Sequence, residues 1–404
     1  MANTLLTPTA VTRKALMILH QKLQFVGNVN RQYDDQYAKT GAKIGSDLKV
    51  RLPNQFAVRR GVSLSAQDTV ESSVTISIAS QYGVDLNFTS QDLTLSLDDF
   101  SERILDPAMA VLAANIEGDA LSAVYKDVYY SVTNFGSAAT FAKALGARKV
   151  LVDNLAPEGN RTINLQTQDS VDLVDALKGL FHDSAAVRQQ YREGMLGRTA
   201  GFDWFENTLL PSHARGAQSA GFTIDTRTSA MTLTSTVLST ITVNALAGGG
   251  LNKGDIVRIT GVMRAHPETK QNTGVQQSFV LTADAASGAT SIVVSPGIVL
   301  SGAYQNVIIP SVLQSAAATA EGTASSTYPV SLAFHKDAFA FVTADLVMPN
   351  GVDFKAREVL DGISMRIVRQ YDINNDKFPC RLDVLWTAKT IRPQFACRME
   401  FNGT

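Results

Sequence analysis

The hydrophobic pattern is most regular between residues 97 and 130. Apolar or small side chains recur there every four residues, at Ile104, Ala108, Leu112, Ile116, Ala120, Val124 and Val128. Met109, Val111, Leu121 and Tyr125 widen the row into a stripe, and this spacing predicts a long amphipathic helix. Asp98 or Asp99 can cap its start, while Pro107 either kinks it or opens a second segment as a first-turn residue. From Pro107 to Tyr130 the helix would extend about 36 Å at 1.5 Å per residue.

Upstream, residues 9–25 read as a helix with Ala15, Leu16, Leu19 and Leu23 on one face, and residues 26–45 are polar and irregular. The period then changes to two. Val74, Ile76 and Ile78 alternate with polar or small residues, as do Val84, Leu86 and Phe88, and the string SQYG ending at Gly83 supplies turn chemistry between them. Residues 49–58, interrupted by Pro53, read as an edge strand. A β-arm of this kind is marginal alone and needs a surface to lie on.

Downstream, helices are expected at 138–154, 171–181 and 184–192, with a short strand at 162–166 and glycine turns at Gly194, Gly197 and Gly201. Between 217 and 330 the helical signal stops. Short β-like runs at 231–233, 239–244, 255–260, 278–282, 291–294 and 306–310 alternate with turn clusters, which suggests a small antiparallel barrel. Residues 332–344 read as a helix or a strand-flanked helix, 364–371 as a strand, and 381–388 with 390–399 as a closing β pair.

Composition sharpens this division. The whole chain is 45% hydrophobic and 18% charged, a folded composition, but residues 217–330 hold only ten charged side chains. The net charge of −1 argues against a dedicated nucleic-acid binder, yet it conceals an asymmetry. The first sixty residues carry ten basic side chains against three acidic ones, so they stand at +7 and the remainder at −8. Basic segments of this kind meet phosphates or acidic partner surfaces, or remain solvated. Cys380 and Cys397 are too few for a disulfide scaffold or a thiolate zinc site. No secretory signal opens the chain and no apolar run approaches the ~18 residues of a membrane span, so a reducing, cytosol-like compartment is expected.

The search for chemistry returns structural readings. GGGLNKG at 248–254 lacks the phosphate-loop spacing and lies between strands, so it reads as a hairpin turn. His20, His182, His213, His266 and His335 show no metal-ligand spacing. Ser212, His213 and Asp203 are triad residue types without a nucleophile elbow. Glu102, Asp106, Glu117, Asp119 and Asp127 on the long helix are spaced as solvated or inter-subunit charge rather than as a tuned acid pair. Arg59 and Arg60, beside Gly61 near the arm tip, read as an ionic contact to a neighbour. Arms that cannot be completed internally are a signature of assembly.

Several strings, in their order along the chain, carry a resemblance: VESSVTISIASQYGVDLNFTSQDLTLSLDDFSERIL, YREGMLGRTAGFDWFENTLLPSH, GLNKGDIVRITGVMRAHPETKQNTGVQQSFVLTA, LAFHKDAFAF and RLDVLWTAKTIRPQFACRM. The chain resembles the major capsid proteins of tailed double-stranded DNA phages, and within them the coat proteins of Salmonella phage P22 and its relatives. The resemblance implies an α+β chain of the Hong Kong 97 capsid fold with an inserted all-β barrel. It makes 1–46 an N-terminal arm, 47–82 the E-loop, 83–134 the peripheral domain with the spine helix, 135–216 the axial domain, 217–330 the inserted domain and 331–404 the remainder of the axial and peripheral domains. Two departures stand out: the path from Thr223 to Gly250 is shorter than the corresponding excursion of the family, and nothing supports a Lys–Asn crosslink.

The implied function is a non-enzymatic one, without cofactor or metal: self-assembly into an icosahedral shell of pentamers and hexamers around the genome. Implied partners are further copies of the chain, a scaffolding protein, a portal protein and packaged DNA bound without sequence specificity, with a decoration protein left open. Implied locations are the host cytoplasm during assembly and the virion afterwards. Arg59, Arg60, Glu102, Asp106, Glu117 and Asp119 are the expected inter-subunit contacts, with the helix acids facing basic arms of other copies and the helix stripe buried on its own β-hairpin. The alternative is a phage tail or adhesin component that binds through the β-rich insertion.

Overall fold

The computed structural model describes residues 8–31, 47–59, 61–62, 66, 73–78, 80–89, 105–177, 198–219, 221–225, 238–309, 315–360, 362–373 and 377–402. They divide into two compact units. The first takes Met1–Arg51, Ser73–Leu121 and Phe339–Ile391, and the second takes Leu52–Ser72, Ser122–Ala338 and Arg392–Thr404.

The long helix spans Asp106–Val124, up to Leu121 in the first unit and its last turn in the second. The four-residue row is buried as its period demands, from Ala108 through Leu112, Ile116 and Ala120 to Val124, and Pro107 sits in the first turn. Two expectations fail. Val111 is 60% exposed, on a narrow outer strip with Asn115 and Asp119. After Val124 the helix tightens to a 3₁₀ turn, Tyr125–Asp127, and the chain extends at Val128, so the segment that leads into the strand Ser131–Thr133 is not helical. Aromatic and β-branched residues at 128–132 favour that change. The expected start at Asp98 or Asp99, and Ile104, lie outside the described residues.

The sheet of the first unit is antiparallel, in the order Phe339–Ala344, Lys377–Thr390, Ile363–Arg369, Phe354–Leu360, and Ser80–Thr89 lies along Lys377–Thr390. The string SQYG is therefore no turn. It runs straight through the strand Ser80–Thr89, and the strand Ser73–Ser77 pairs instead with Asp47–Arg51. Gly83 serves close approach: a Cβ there would stand 2.6 Å from the Leu382 carbonyl oxygen and from Asp383 Oδ1. The helix Pro8–Lys22 buries Val11, Ala15, Leu16 and Leu19 and packs on the strands Phe354–Leu360 and Ile363–Arg369. Beyond the short helix Phe25–Asn28, Asn30 makes a parallel bridge to Ala340, donating to the Phe339 carbonyl at 3.2 Å and accepting from the Phe341 amide at 3.0 Å.

The second unit holds two seven-stranded sheets. One is mixed, in the order Ser131–Thr133, Ala396–Glu400, Thr327–His335, Arg161–Leu165, Phe202–Glu206, Arg198–Thr199, with Ser212–Ala214 on Thr327–His335. The helix Phe141–Asp153 packs on it through Ala144, Ala147 and Leu151. Residues 332–344 take the second of the two expected forms, two strands flanking a short 3₁₀ helix, Lys336–Ala338, and not a continuous helix. The expected closing β pair also dissolves: Lys377–Thr390 and Ala396–Glu400 are strands of different sheets. Local period shows that a segment is a strand, but not which partner it takes.

The other sheet is antiparallel, in the order Ser239–Thr242, Ser291–Ser295, Asn272–Leu281, Ile256–Ala265, Ala317–Ala320, Phe222–Thr223, with Val307–Ile308 on Ile256–Ala265. Its first and last members meet: Ile224 bridges Val243, and the Asn244 amide donates to the Thr223 carbonyl at 2.9 Å. Inward-facing Val257, Ile259, Phe279, Leu281, Ile292 and Val294 fill one apolar core. The loop 248–254 joins Ser239–Thr242 to Ile256–Ala265, strands with two others between them in this sheet, so it is a crossover and not a hairpin turn. Its glycines let backbones touch: a Cβ on Gly249 would stand 2.6 Å from the Ala217 carbonyl group.

Candidate assembly surfaces and the root of the antiparallel seven-stranded sheet

The residues expected to make contacts are placed differently from one another. Arg59 is exposed, and its Nη1 donates to the Gly61 carbonyl at 2.7 Å, folding the side chain over the arm's own turn. Phe56, Val58 and Val62 around it are 60%, 87% and 100% exposed. Arg60 and Glu102 lie outside the described residues. Asp106 is half-buried, 3.6 Å from Lys22 Nζ. Asp119 is exposed and accepts a hydrogen bond from the Tyr82 hydroxyl, which raises the pKa of that tyrosine.

Glu117 departs from the expectation of a solvent-facing acid. It is 2% exposed, and its Oε1 accepts from the Phe25 backbone amide at 3.0 Å, at the start of the helix Phe25–Asn28. The long helix thus meets the N-terminal segment through Glu117 and Asp106 and the strand Ser80–Thr89 through Asp119, rather than a hairpin of its own.

A denser polar constellation, missed from sequence, lies where residues 217–330 join the rest of the second unit. Arg215 is buried and donates to the carbonyls of Gly216, Gln218, Ala320 and Glu321, at 2.8–3.3 Å, so one guanidinium ties the outgoing chain to the returning one. Asp255, also buried, accepts from His213 Nε2 at 2.8 Å and from the amides of Gly216 and Asn252 at 3.1 and 2.9 Å. Glu321 accepts from Ser131 Oγ at 2.6 Å and faces Arg258. Burial pushes its carboxyl above the usual range, partly offset by Arg258. Arg264 joins Asp153 at 2.9 Å and covers the Tyr130 ring. The available signal was the rarity of charge itself, because Asp255, Arg258, Arg264 and Glu321 are among only ten charged residues in this stretch.

None of this assembles a reaction. Asp255 occupies the ring nitrogen of His213, Ser212 points to the opposite face of their strand, and Asp203 lies by Arg198 at 3.7 Å. Among the described residues no cluster of His, Cys, Asp or Glu has the makings of a metal site. Cys380 and Cys397 are buried, and burial pushes the Cys380 thiol up to about 12 and that of Cys397 further, so neither is a ready nucleophile. No helix among the described residues is long and apolar enough to cross a membrane.

A model of the P22 coat protein family, described as P22 coat protein, gene protein 5, matches residues 11–401. The chain belongs to that family of phage coat proteins. More particularly it is a shell-forming major capsid protein, a structural part of the virion built from many copies and not an enzyme. No curated protein matches it. Among solved structures it is similar to a chain of Mycobacterium phage Che8, at 13% identity over 93% of this chain and 90% of that one, with a TM-score of 0.46. The asymmetric unit of the bacteriophage PhiM1 mature capsid gives 10%, 94%, 88% and 0.41 for the same quantities. A virus-like particle from Pyrococcus furiosus gives 7%, 97%, 98% and 0.37.

Proposed function

We propose that this coat protein closes, as pentamers and hexamers, into an icosahedral shell around a double-stranded DNA genome. The observation that carries the reading is the family match over residues 11–401. On this reading the chain has the Hong Kong 97 architecture, with an N-terminal arm at 1–46, an E-loop at 47–82 and residues 217–330 as an inserted β-barrel. The bridge between the edge strands at Ile224 and Val243, and the single apolar core behind it, support the barrel. The welded root at Arg215 and Asp255 supports an insertion that stabilises its own subunit as well as the shell.

Contacts between copies fall to Arg59 and Arg60 on the arm and to Glu102, Asp106 and Asp119 on the helix. Glu117 contributes from inside the subunit by holding the segment at Phe25. Assembly in the host cytoplasm would be guided by a scaffolding protein and would incorporate a portal complex. The +7 charge of the first sixty residues suits either DNA phosphates or an acidic neighbour, with contacts that weaken in salt.

Co-expression with a candidate scaffolding protein, followed by electron microscopy, tests the reading. Closed shells are expected. Discrete rings, fibres or monomers under every condition would overturn it. Arg59→Glu with Arg60→Glu is expected to leave the monomer folded and to impair shell formation at moderate salt; unchanged shells would remove the arm's docking role.

A further inference from the structure

One face of the mixed sheet carries buried polar side chains, several of whose hydrogen-bonding atoms have no partner among the described residues. Leu332 stands opposite Asn164 in one neighbouring strand and opposite Arg398 in the other, so the three side chains form a row on one face. Glu400, two residues beyond Arg398, shares that face. Asn164 and Arg398 are 0% exposed and Glu400 is 4% exposed.

Arg398 uses one donor well, from Nη2 to the Gly254 carbonyl at 2.7 Å. Its Nε and Nη1 have no hydrogen-bond partner among the described residues, and neither does Glu400 Oε1, which lies 3.6 Å from Arg398 Nε, too far for a direct bond. Both amide atoms of Asn164 are in the same position. Buried groups of this kind cost roughly 1–3 kcal/mol each when left without a partner, and more when charged. Native interiors satisfy them, commonly with ordered water making about three bonds.

The required guest is narrowly defined by chemistry. Between Arg398 and Glu400 it must accept from N–H groups and donate to a carboxylate oxygen at once. A halide cannot donate to the carboxylate, a phosphate carries charge that the carboxylate repels, and a metal cation cannot accept and is repelled by the guanidinium. At Asn164 the guest must again both donate and accept. Water does both.

We propose that the face of the mixed sheet turned towards Gly254 holds at least two internal waters, one bridging Arg398 and Glu400 and one bound to the Asn164 amide. The root of the insertion is then a hydrated seam. Two measurements on the full-length chain test it. A map of the subunit or the shell at a resolution that shows ordered water should contain density at both positions; clear side-chain density with nothing at either position overturns the proposal. In thermal melts of the subunit, Asn164→Leu, nearly the same in shape, should lower Tm by several degrees because the displaced water loses its site. A rise in Tm would mean a dry, unsatisfied amide and would equally overturn it.

Discussion

Each unit buries a carboxylate, and the two units hold theirs in opposite ways. In the first, the Asp383 side chain is 1% exposed and receives Arg366 at 2.6 Å and Arg381 at 2.9 Å. Burial alone would raise its pKa, but the hydrogen bonds from Arg381 and Arg366 overcome it and hold the carboxyl below its ordinary range. In the second, Asp169 is 0% exposed and accepts from Ser331 Oγ at 2.6 Å and from Asn402 Nδ2 at 3.4 Å, with no arginine beside it among the described residues. Burial wins there, and its carboxyl is raised, as is that of Glu321. At similar depth Asp383 and Asp169 shift in opposite directions because different donors reach them.

The widest gap between the units should come from deletion. Asp383→Ala takes the shared carboxylate from Arg366, which is largely buried, and from Arg381, which is half-exposed and screened by water. The loss should therefore fall at or below the low end of the roughly 3–5 kcal/mol of a fully buried pair. Asp169→Ala removes a hydrogen bond to a hydroxyl and should cost about 1–3 kcal/mol. Urea unfolding of each variant ranks them, and equal losses would erase the distinction.

The pH dependence then separates them by sign. The folded pKa of Asp383 lies below the unfolded value of about 3.9, so its contribution is complete above that value and is lost as pH falls through the folded pKa. For Asp169 and Glu321 the folded value is the higher one. Their contributions are complete below the unfolded values and are lost as pH rises through the folded ones. Asp383→Asn should therefore flatten the acid limb of a Tm–pH profile, while Glu321→Gln should flatten the part above the usual carboxylate range. The reverse assignment would show that the arginines do not set the charge of Asp383.

The smallest effect belongs to an exposed acid of the first unit. Asp119→Asn weakens the bond to the Tyr82 hydroxyl and should change stability by no more than about 1 kcal/mol. It should also lower the Tyr82 titration towards its ordinary value, read by ultraviolet absorbance, because that hydrogen bond is the main cause of the shift. A titration that stays put would detach Tyr82 from Asp119.

What was legible in the sequence was what local period records. The buried row Ala108, Leu112, Ile116, Ala120 and Val124 follows from helical spacing alone, and the antiparallel character of 217–330 follows from its short alternating runs. Pairing was not legible. Ser80–Thr89 lies against Lys377–Thr390, nearly the whole chain away, and nothing at Gly83 distinguishes a turn from a close approach until Asp383 is in place. Glu117 reads as a surface acid because glutamates rarely bury; its partner is a backbone amide, which leaves no mark in a sequence. The polar root at Arg215 and His213 was hidden for the same reason, since most of its acceptors are main-chain carbonyls and most of the donors to Asp255 are amides.

The bridge at Asn30 bears on the life of the subunit before it joins any shell. The strand Phe339–Ala344 has Lys377–Thr390 on one side, and on the other Asn30 occupies the Phe339 carbonyl and the Phe341 amide. A bare edge there would template pairing with whichever strand arrived first, at the high local concentrations that growth of a shell requires. With Asn30 seated there, two main-chain groups of that edge are already taken within the subunit, which narrows the template it offers to another chain.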